Sequence, residues 1–213
     1  MGGRGARSGA GRQGGGGGIS PSDILSTTDL ISEREHNQEF VDELLTPFWD
    51  ANNEYGYAAE QIQLATLRPG SNTIAYYDGA NIALNTAYYN KQGLEKAYAE
   101  CVKTGFHPSS GKRTAAEAVM SHEIGHALTD AVGRKMGLSG IGITDSAATR
   151  IVNEARKQTK HRGVVQMASK ISGYATHSNA EAIAEAFSDV YCNGGRARAE
   201  SKAIVNVMNS YLK

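Results

Sequence analysis

The chain has 213 residues, enough for one domain of ordinary size with a tail, and its 22 basic residues balance its 22 acidic residues. This balance argues against a general nucleic-acid binder, and no apolar run approaches the roughly 18 residues that a membrane span needs. We therefore expect neither a specific nucleic acid nor a membrane among its partners. Two cysteines, Cys101 and Cys192, are too few for a disulfide framework. Two buried thiols are the simpler expectation, and a single bridge is the alternative.

Residues 1–20 are expected to form a disordered, glycine-rich leader, and residues 21–213 to form the folded domain. A linker inside a larger protein explains this composition better than a nucleic-acid-binding tail does. The leader has no hydrophobic segment of the kind that a signal peptide requires, so we expect a cytoplasmic location, with non-classical export as the alternative. Its basic residues, unopposed by any acidic residue, are Arg4, Arg7 and Arg12.

A long amphipathic helix is predicted over residues 30–53, and Pro47 is expected to kink or interrupt it. Phe48 and Trp49 are most simply interpreted as core residues. The apolar positions that recur at helical spacing are Phe40, Val41, Leu44, Leu45 and Phe48.

A small β-sheet is predicted after this helix, with one strand over residues 61–67. The dipeptide Asp78-Gly79 then lies between two β-rich runs, residues 73–77 and residues 81–85, which is a strong short-range signal for a hairpin. Residues 81–85 are our candidate for an edge strand that pairs with an extended substrate. An ordinary core hairpin is the alternative interpretation.

The remainder of the chain is mostly helical by pattern, which predicts an α+β fold with a small sheet. Gly105 is expected to end the first of these helices. Residues 161–172 are not assigned. The predicted helices cover residues 91–104, 112–135, 146–160, 178–187 and 196–212.

The helix over residues 112–135 contains an HExxH motif formed by His122, Glu123 and His126. On a helix the two histidines lie one turn apart on the same face, where they could bind one zinc ion. Glu123 then stands where it can act as the general base toward an attacking water. The alternative is a surface helix that carries two histidines by coincidence.

A catalytic zinc usually needs a third protein ligand. The metzincin spacing would require a histidine where Val132 stands and a glycine where Thr129 stands, so that class is excluded. A glutamate from a second helix is the other common solution. Glu181 and Glu185 lie four residues apart on one predicted face, and the small alanines around them would allow a close approach to the HExxH helix.

The HEIGH motif together with the later run Tyr-x6-Glu-x2-Ala-Glu-Ala-Phe resembles the catalytic core of the anthrax lethal factor family of zinc metallopeptidases. This family includes the bacterial Pro-Pro endopeptidases and belongs to the gluzincins. The resemblance covers roughly residues 72–191 and implies a zincin-like fold around the HExxH active-site helix.

This resemblance also implies a role for each matching residue. His122, His126 and Glu181 would be the metal ligands, with one zinc ion per chain. Glu123 would be the base, and the hydroxyl of Tyr174 would stabilise the transition state. A further carboxylate, Glu185, would accept a proton from a ligand imidazole and so fix its tautomer.

A second interpretation of the same stretch remains open. Glu185, Ser188 and Asp189 match ExxSD, which is similar to the third-ligand motif of thermolysin-like peptidases. Glu185 would then be the ligand and Asp189 its partner, but Tyr174 would have no role.

The histidines outside the motif are each expected to be solvated. Of these, His177 is close enough in sequence to the third-ligand stretch to help bind substrate. The three positions are His107, His161 and His177.

The sequence therefore predicts a zinc-dependent endopeptidase that hydrolyses peptide bonds of an extended protein or peptide substrate. The alternative is a catalytically idle zinc-fold domain with a structural or interaction role in a larger protein. The resemblance is also compatible with a protein of a phage or other mobile element, associated with the virion.

Overall fold

The computed structural model describes residues 21–30, 34–35, 37–139 and 142–213. The predicted disordered leader, residues 1–20, lies outside the described residues. Within the described part of the chain, no helix is both long and apolar enough to cross a membrane. Cys101 and Cys192 are buried.

The architecture is α+β and mostly helical, as predicted, with one mixed sheet of four strands. The strands are β1 (Ile24–Asp29), β2 (Ile62–Leu67), β3 (Ala75–Tyr77) and β4 (Ile82–Asn85). The helices are α1 (Gln38–Tyr55), α2 (Lys91–Lys103), α3 (Ala115–Lys135), α4 (Ile143–Gln158), α5 (Val164–Ala168), α6 (Asn179–Asn193) and α7 (Ala199–Leu212).

The N-terminal part of the domain differs from the prediction. Strand β1 occupies residues for which no strand was predicted, and α1 begins at Gln38 rather than at residue 30. Five of the six residues of β1 are exposed, among them Leu25, and the sequence shows no apolar alternation to signal a strand. Pro47 lies inside α1 without ending it. Trp49 is 52% exposed, so its assignment to the core was wrong, whereas Phe48 packs partly buried against the core.

The predicted hairpin is confirmed. Strands β3 and β4 pair antiparallel, and the Asp78 carboxylate accepts hydrogen bonds from the backbone N–H groups of Ala80 and Asn81 in the turn. Gly79 takes a φ of +106°, which a side chain would disfavour. The turn therefore forms for the local reasons that the sequence indicated.

The prediction that residues 81–85 form an edge strand was wrong. The strand order is β1-β2-β4-β3, so β4 lies inside the sheet, parallel to β2 on one side and antiparallel to β3 on the other. Its backbone groups are used by both neighbours, and its core-facing residues are fully buried. Strand order depends on tertiary pairing, which the local pattern of a hairpin does not encode.

Among the residues that the structure describes, no strand pairs with the outer side of β3, so β3 is one of the two edge strands of the sheet. The Ile74 carbonyl accepts a hydrogen bond from the Asn85 N–H, and the Asp78 N–H donates to the Asn81 carbonyl, so both residues are bonded toward β4. Because bonded and non-bonded positions alternate along an antiparallel pair, Ala75 and Tyr77 turn their backbone N–H and C=O groups to the open edge. Strand β3 itself packs against α3.

Helix α3 is the central element of the fold. Thr114 and Glu117 form a capping box at its start, since each side chain binds the other's backbone N–H. Arg134 and Lys135 lie in its last turn, where they complement the helix dipole. The helix is buried along most of its length because α1, α4, α6 and α7 and strand β3 all pack against it.

Helix α6 packs more extensively on α3 than on any other element. Small residues meet at the crossing, as the alanines of α6 suggested. A Cβ atom added at Gly125 would lie only 2.8 Å from the Cα of Ala184 and 3.2 Å from the Cβ of Phe187. Glycine at this point of the HExxH motif therefore sets the distance between the two helix backbones.

Gly125→Ala is expected to lower the free energy of unfolding by about 1–3 kcal/mol, because overpacking forces the two backbones apart. The effect should appear although alanine is the better helix former by about 1 kcal/mol. Urea denaturation followed by circular dichroism measures it. Gly195→Ala is the matched control, since its added Cβ meets nothing within 4 Å. Equal stability of Gly125→Ala and wild type would contradict the close contact.

Candidate metal centre

The two histidines of the HExxH motif lie side by side on α3, one turn apart. Their ring centroids are 5.0 Å apart, and the rings are nearly perpendicular. His122 is buried, and the His126 side chain is 13% exposed. Both Nε2 atoms face the first turn of α6.

Glu181 lies in that first turn, immediately after the helix cap. The Ser178 hydroxyl accepts a hydrogen bond from the Glu181 backbone N–H, which fixes the start of α6. Oε2 of Glu181 lies 3.2 Å from His122 Nε2 and 3.5 Å from His126 Nε2. The donor atoms of the three residues all lie within 4.8 Å of one another, so this group could hold a metal ion.

The environment of Glu181 fits a bound cation. Its Oε2 atom is buried and accepts no well-aligned hydrogen bond from any residue that the structure describes. A buried acceptor left unsatisfied costs about 1–3 kcal/mol, and more when it is charged. A cation between Oε2 and the two imidazole nitrogens would remove this cost. Two imidazoles and one carboxylate are also a ligand set that suits zinc.

The ionisation of the cluster follows from burial and mutual proximity. Burial alone would raise the pKa of Glu181, but His126 and His122 hold that pKa far below its ordinary value. Burial lowers the pKa of His122, and the carboxylates of Glu181 and Glu185 outweigh burial and raise that pKa well above its ordinary value. Glu181 therefore stays ionised and available as a ligand.

Glu185 lies one turn further along α6 and contacts the other nitrogen of the His122 ring, Nδ1, rather than the Nε2 that faces Glu181. Its Oε1 lies 2.8 Å from His122 Nδ1, and its Oε2 accepts a 2.6 Å hydrogen bond from the Ser172 hydroxyl. Burial raises the pKa of Glu185, but His107 and His122 outweigh it and lower that pKa to about 2. An ionised carboxylate only accepts, so Glu185 holds a proton on His122 Nδ1 and leaves Nε2 as the nitrogen that could coordinate a metal in place of a proton.

Asp189 does not contact Glu185 in the way that the ExxSD interpretation requires. Its carboxylate accepts hydrogen bonds from the Arg198 backbone and guanidinium, from Ser201 at 2.7 Å and from Asn193 at 2.9 Å. Asp189 therefore joins the end of α6 to the start of α7. The geometry favours Glu181 over Glu185 as the third ligand.

Tyr174 lies beside both Glu181 and His122, with its ring centroid 5.8 Å from that of His122. Its hydroxyl donates to Glu181 Oε1 at 3.2 Å, and its side chain is fully buried. The segment is held in place by two backbone hydrogen bonds, from Gly173 to Gly105 and from Tyr174 to Phe106. The tyrosine hydroxyl is thus fixed at the edge of the candidate metal group.

Glu123 lies where α3 meets the free edge of β3. Its carboxylate accepts a hydrogen bond from the backbone of Tyr77. Burial raises the pKa of Glu123, and His122, His126 and the Tyr77 backbone offset this increase only in part. A small pocket lies beside it, between the start of β3, helix α3, helix α6 and the segment that includes the end of α2. Its lining residues are Ile74, Ala75, Tyr98, His107, Ala118, Val119, His122, Glu123, Glu185 and Ser188.

The three other histidines differ from one another. His177 is exposed, as predicted, although its ring packs against that of Tyr174 at 4.9 Å. His161 is largely buried against Glu200 at 2.9 Å, so its predicted solvation was wrong. The same prediction was wrong for His107, whose side chain is 10% exposed and contacts Glu185. His107 lies in the segment that connects α2 to α3. Nothing in its local sequence indicated that it would contact Glu185.

Comparison of the chain with models of known protein families, with curated proteins and with solved structures gives no match.

Glu181→Ala should bind no zinc, whereas Asp189→Asn should bind one zinc ion per chain, because only Glu181 directs a carboxylate oxygen at both imidazoles. Elemental analysis of each purified protein against wild type measures this. Asp189→Asn changes a carboxylate of the same helix, so it controls for general damage to α6. This variant should lower the free energy of unfolding by about 1–3 kcal/mol. Zinc retained in Glu181→Ala but lost from folded Asp189→Asn would reverse the assignment.

Proposed function

We propose that this chain is a zinc-dependent endopeptidase of the gluzincin type. The observation that carries the proposal is the convergence of His122 Nε2, His126 Nε2 and an unsatisfied oxygen of Glu181, with Glu123 buried beside them. The resemblance to the anthrax lethal factor family supports it, since each residue implied by that resemblance lies at this one site. We assign zinc, one ion per chain, as the metal.

His122, His126 and Glu181 would hold the ion, and Glu185 would keep His122 in the coordinating tautomer. When bound, zinc supplies a Lewis acid that polarises a peptide carbonyl and lowers the pKa of water to about 7. Glu123 takes the proton from the attacking water and passes it to the leaving amine. Its raised pKa suits this task, because it brings the carboxylate closer to the working pH.

The Tyr174 hydroxyl supplies a donor for the oxyanion that develops at the scissile carbonyl. It lies against Glu181, and the aromatic rings of Phe106 and His107 pack beside it at centroid distances of 5.0 and 5.3 Å. The packed ring would hold the hydroxyl oxygen in place while its single proton turns from Glu181 to the oxyanion, so only a rotation of the O–H bond is needed to stabilise the transition state.

The free edge of β3 is the surface we assign to the substrate backbone. Ala75 and Tyr77 direct their backbone groups to this edge, and Glu123 reaches the Tyr77 backbone from α3. An extended peptide that adds to β3 as a further strand would place a carbonyl beside Glu123 and the metal group. The assignment replaces residues 81–85, which lie inside the sheet.

Glu123→Gln should keep one zinc ion per chain and lower kcat by about 10²- to 10⁴-fold, because glutamine cannot accept the proton of the attacking water. Wild type is first assayed against a peptide library by mass spectrometry, and kcat is then measured on the best substrate.

Glu117→Gln is the matched control for this change. Glu117 is a buried glutamate of the same helix, and glutamine also serves in its capping box. Wild-type activity in Glu123→Gln would exclude Glu123 as the base. Zinc binding without peptide cleavage by wild type would favour the idle zinc-fold domain instead.

Tyr174→Phe should lower kcat by about 10²- to 10³-fold with KM and zinc content nearly unchanged, because it removes one oxyanion donor. Tyr191→Phe is the control, since it removes a hydroxyl that donates to Asp50 at 2.7 Å and has no place in the proposed site. Loss of zinc from Tyr174→Phe would mean that the hydroxyl serves to hold Glu181.

A further inference from the structure

His107 and His122 share one carboxylate oxygen. His107 Nδ1 lies 2.8 Å from Glu185 Oε1, and His122 Nδ1 lies 2.8 Å from the same atom. The Ser172 hydroxyl donates to the other oxygen at 2.6 Å. The Glu185 side chain is 1% exposed, so these three donors provide it with hydrogen bonds that water would otherwise supply.

His107 is held in this position by the end of α2. Gly105 adopts a φ of +70°, its N–H donates to Val102 and the next N–H donates to Cys101, which is the Schellman pattern. The chain therefore turns sharply and brings His107 back toward α6.

The ring of Tyr98 fixes the plane of the His107 imidazole. The two rings stack with centroids 5.7 Å apart and planes within 8° of parallel. The Tyr98 hydroxyl donates to the carbonyl of Pro108 at 2.9 Å, which anchors the residue next to His107. Backbone turn and ring stacking together direct Nδ1 at Glu185.

We propose that His107 is a positioning residue of the metal centre, acting through Glu185 on the ligand His122. The inference rests on the proposed zinc function. An oxygen of an ionised carboxylate can accept two hydrogen bonds, and Glu185 Oε1 receives one from each imidazole. Without His107, the Glu185 carboxylate keeps only His122 and Ser172 and can rotate about its terminal bond. His122 then loses the fixed orientation and tautomer that direct Nε2 toward Glu181.

Two substitutions separate this role from simple packing. In His107→Phe the ring that stacks on Tyr98 is kept and the donor to Glu185 is lost. In His107→Asn the ring is lost, but the amide nitrogen stands at the same number of bonds from the backbone as Nδ1 and can donate to Glu185. A packing role predicts that phenylalanine is the milder change, and a positioning role predicts that asparagine is.

Zinc affinity, measured by competition with a chromophoric chelator, tests the inference. His107→Phe should bind zinc about 10- to 100-fold more weakly than wild type, the range found when a partner of a metal ligand is removed. His107→Asn should stay close to wild type. His161→Phe is the control, because it removes an imidazole from another carboxylate, Glu200, and should leave zinc affinity unchanged.

Long-range proton–nitrogen correlation spectra of the zinc-loaded proteins give a second readout. Wild type and His107→Asn should show His122 protonated on Nδ1 alone, and His107→Phe should show broadened or mixed tautomer signals. If His107→Phe does not fold, His107→Gln replaces it, because its amide nitrogen lies one bond too far from the backbone and should also weaken zinc binding.

The outcomes separate the inference from the proposed function. Failure of wild type to bind zinc would overturn both. Zinc bound equally by wild type and His107→Phe, or more weakly by His107→Asn than by His107→Phe, would overturn the positioning role alone.

Discussion

The contact between Gly125 of α3 and Ala184 of α6 is the constraint on which the candidate site depends. A Cβ added at Gly125 would lie only 2.8 Å from the Ala184 Cα, so the two helices are too close for any side chain at residue 125. At this separation a glutamate of α6 reaches the imidazoles of α3 directly, with 3.2 Å between Glu181 Oε2 and His122 Nε2. A wider crossing would leave the two histidines without their carboxylate.

The same crossing gives two carboxylates on one helix face different partners. Glu181 and Glu185 are one turn apart, yet Glu181 approaches the Nε2 side of His122 and Glu185 contacts its Nδ1 side. His122 therefore lies between them, and its two nitrogens are divided between a candidate ligand and an orienting carboxylate. Ser172 and His107 complete the environment of Glu185, and Tyr174 completes that of Glu181.

Local signals were sufficient to predict the helices of the site and the hairpin. The glycine that ends α2 and the Asp78-Gly79 turn both act within a few residues, so they could be identified in one sequence. The four-residue spacing on α3 likewise predicted that His122 and His126 would lie together. The same spacing could not separate Glu181 from Glu185, because the choice depends on how α6 is rotated against α3.

Three of the features that were missed depend on tertiary pairing. Strand β1 is recognisable only through its partner β2, since five of its six residues are exposed and show no apolar alternation. The free edge of the sheet lies on β3 because β2 pairs with β4 across a long stretch of chain. His107 reaches Glu185 over 78 residues of sequence. No short-range pattern carries information of this kind.

The charges of the site explain why a cation suits it. Three carboxylates, those of Glu123, Glu181 and Glu185, are buried close to the same histidines. Burying unpaired charge costs several kcal/mol per ion, so this excess of negative charge needs a positive partner. A proton on His122 can meet part of that need, which is why the pKa of this histidine is raised despite its burial. A divalent cation among His122, His126 and Glu181 would take the place of that proton and bring a second positive charge. It would also satisfy the Glu181 oxygen, which otherwise has no well-aligned donor. The features that make the metal-free arrangement costly are therefore the ones that favour metal binding.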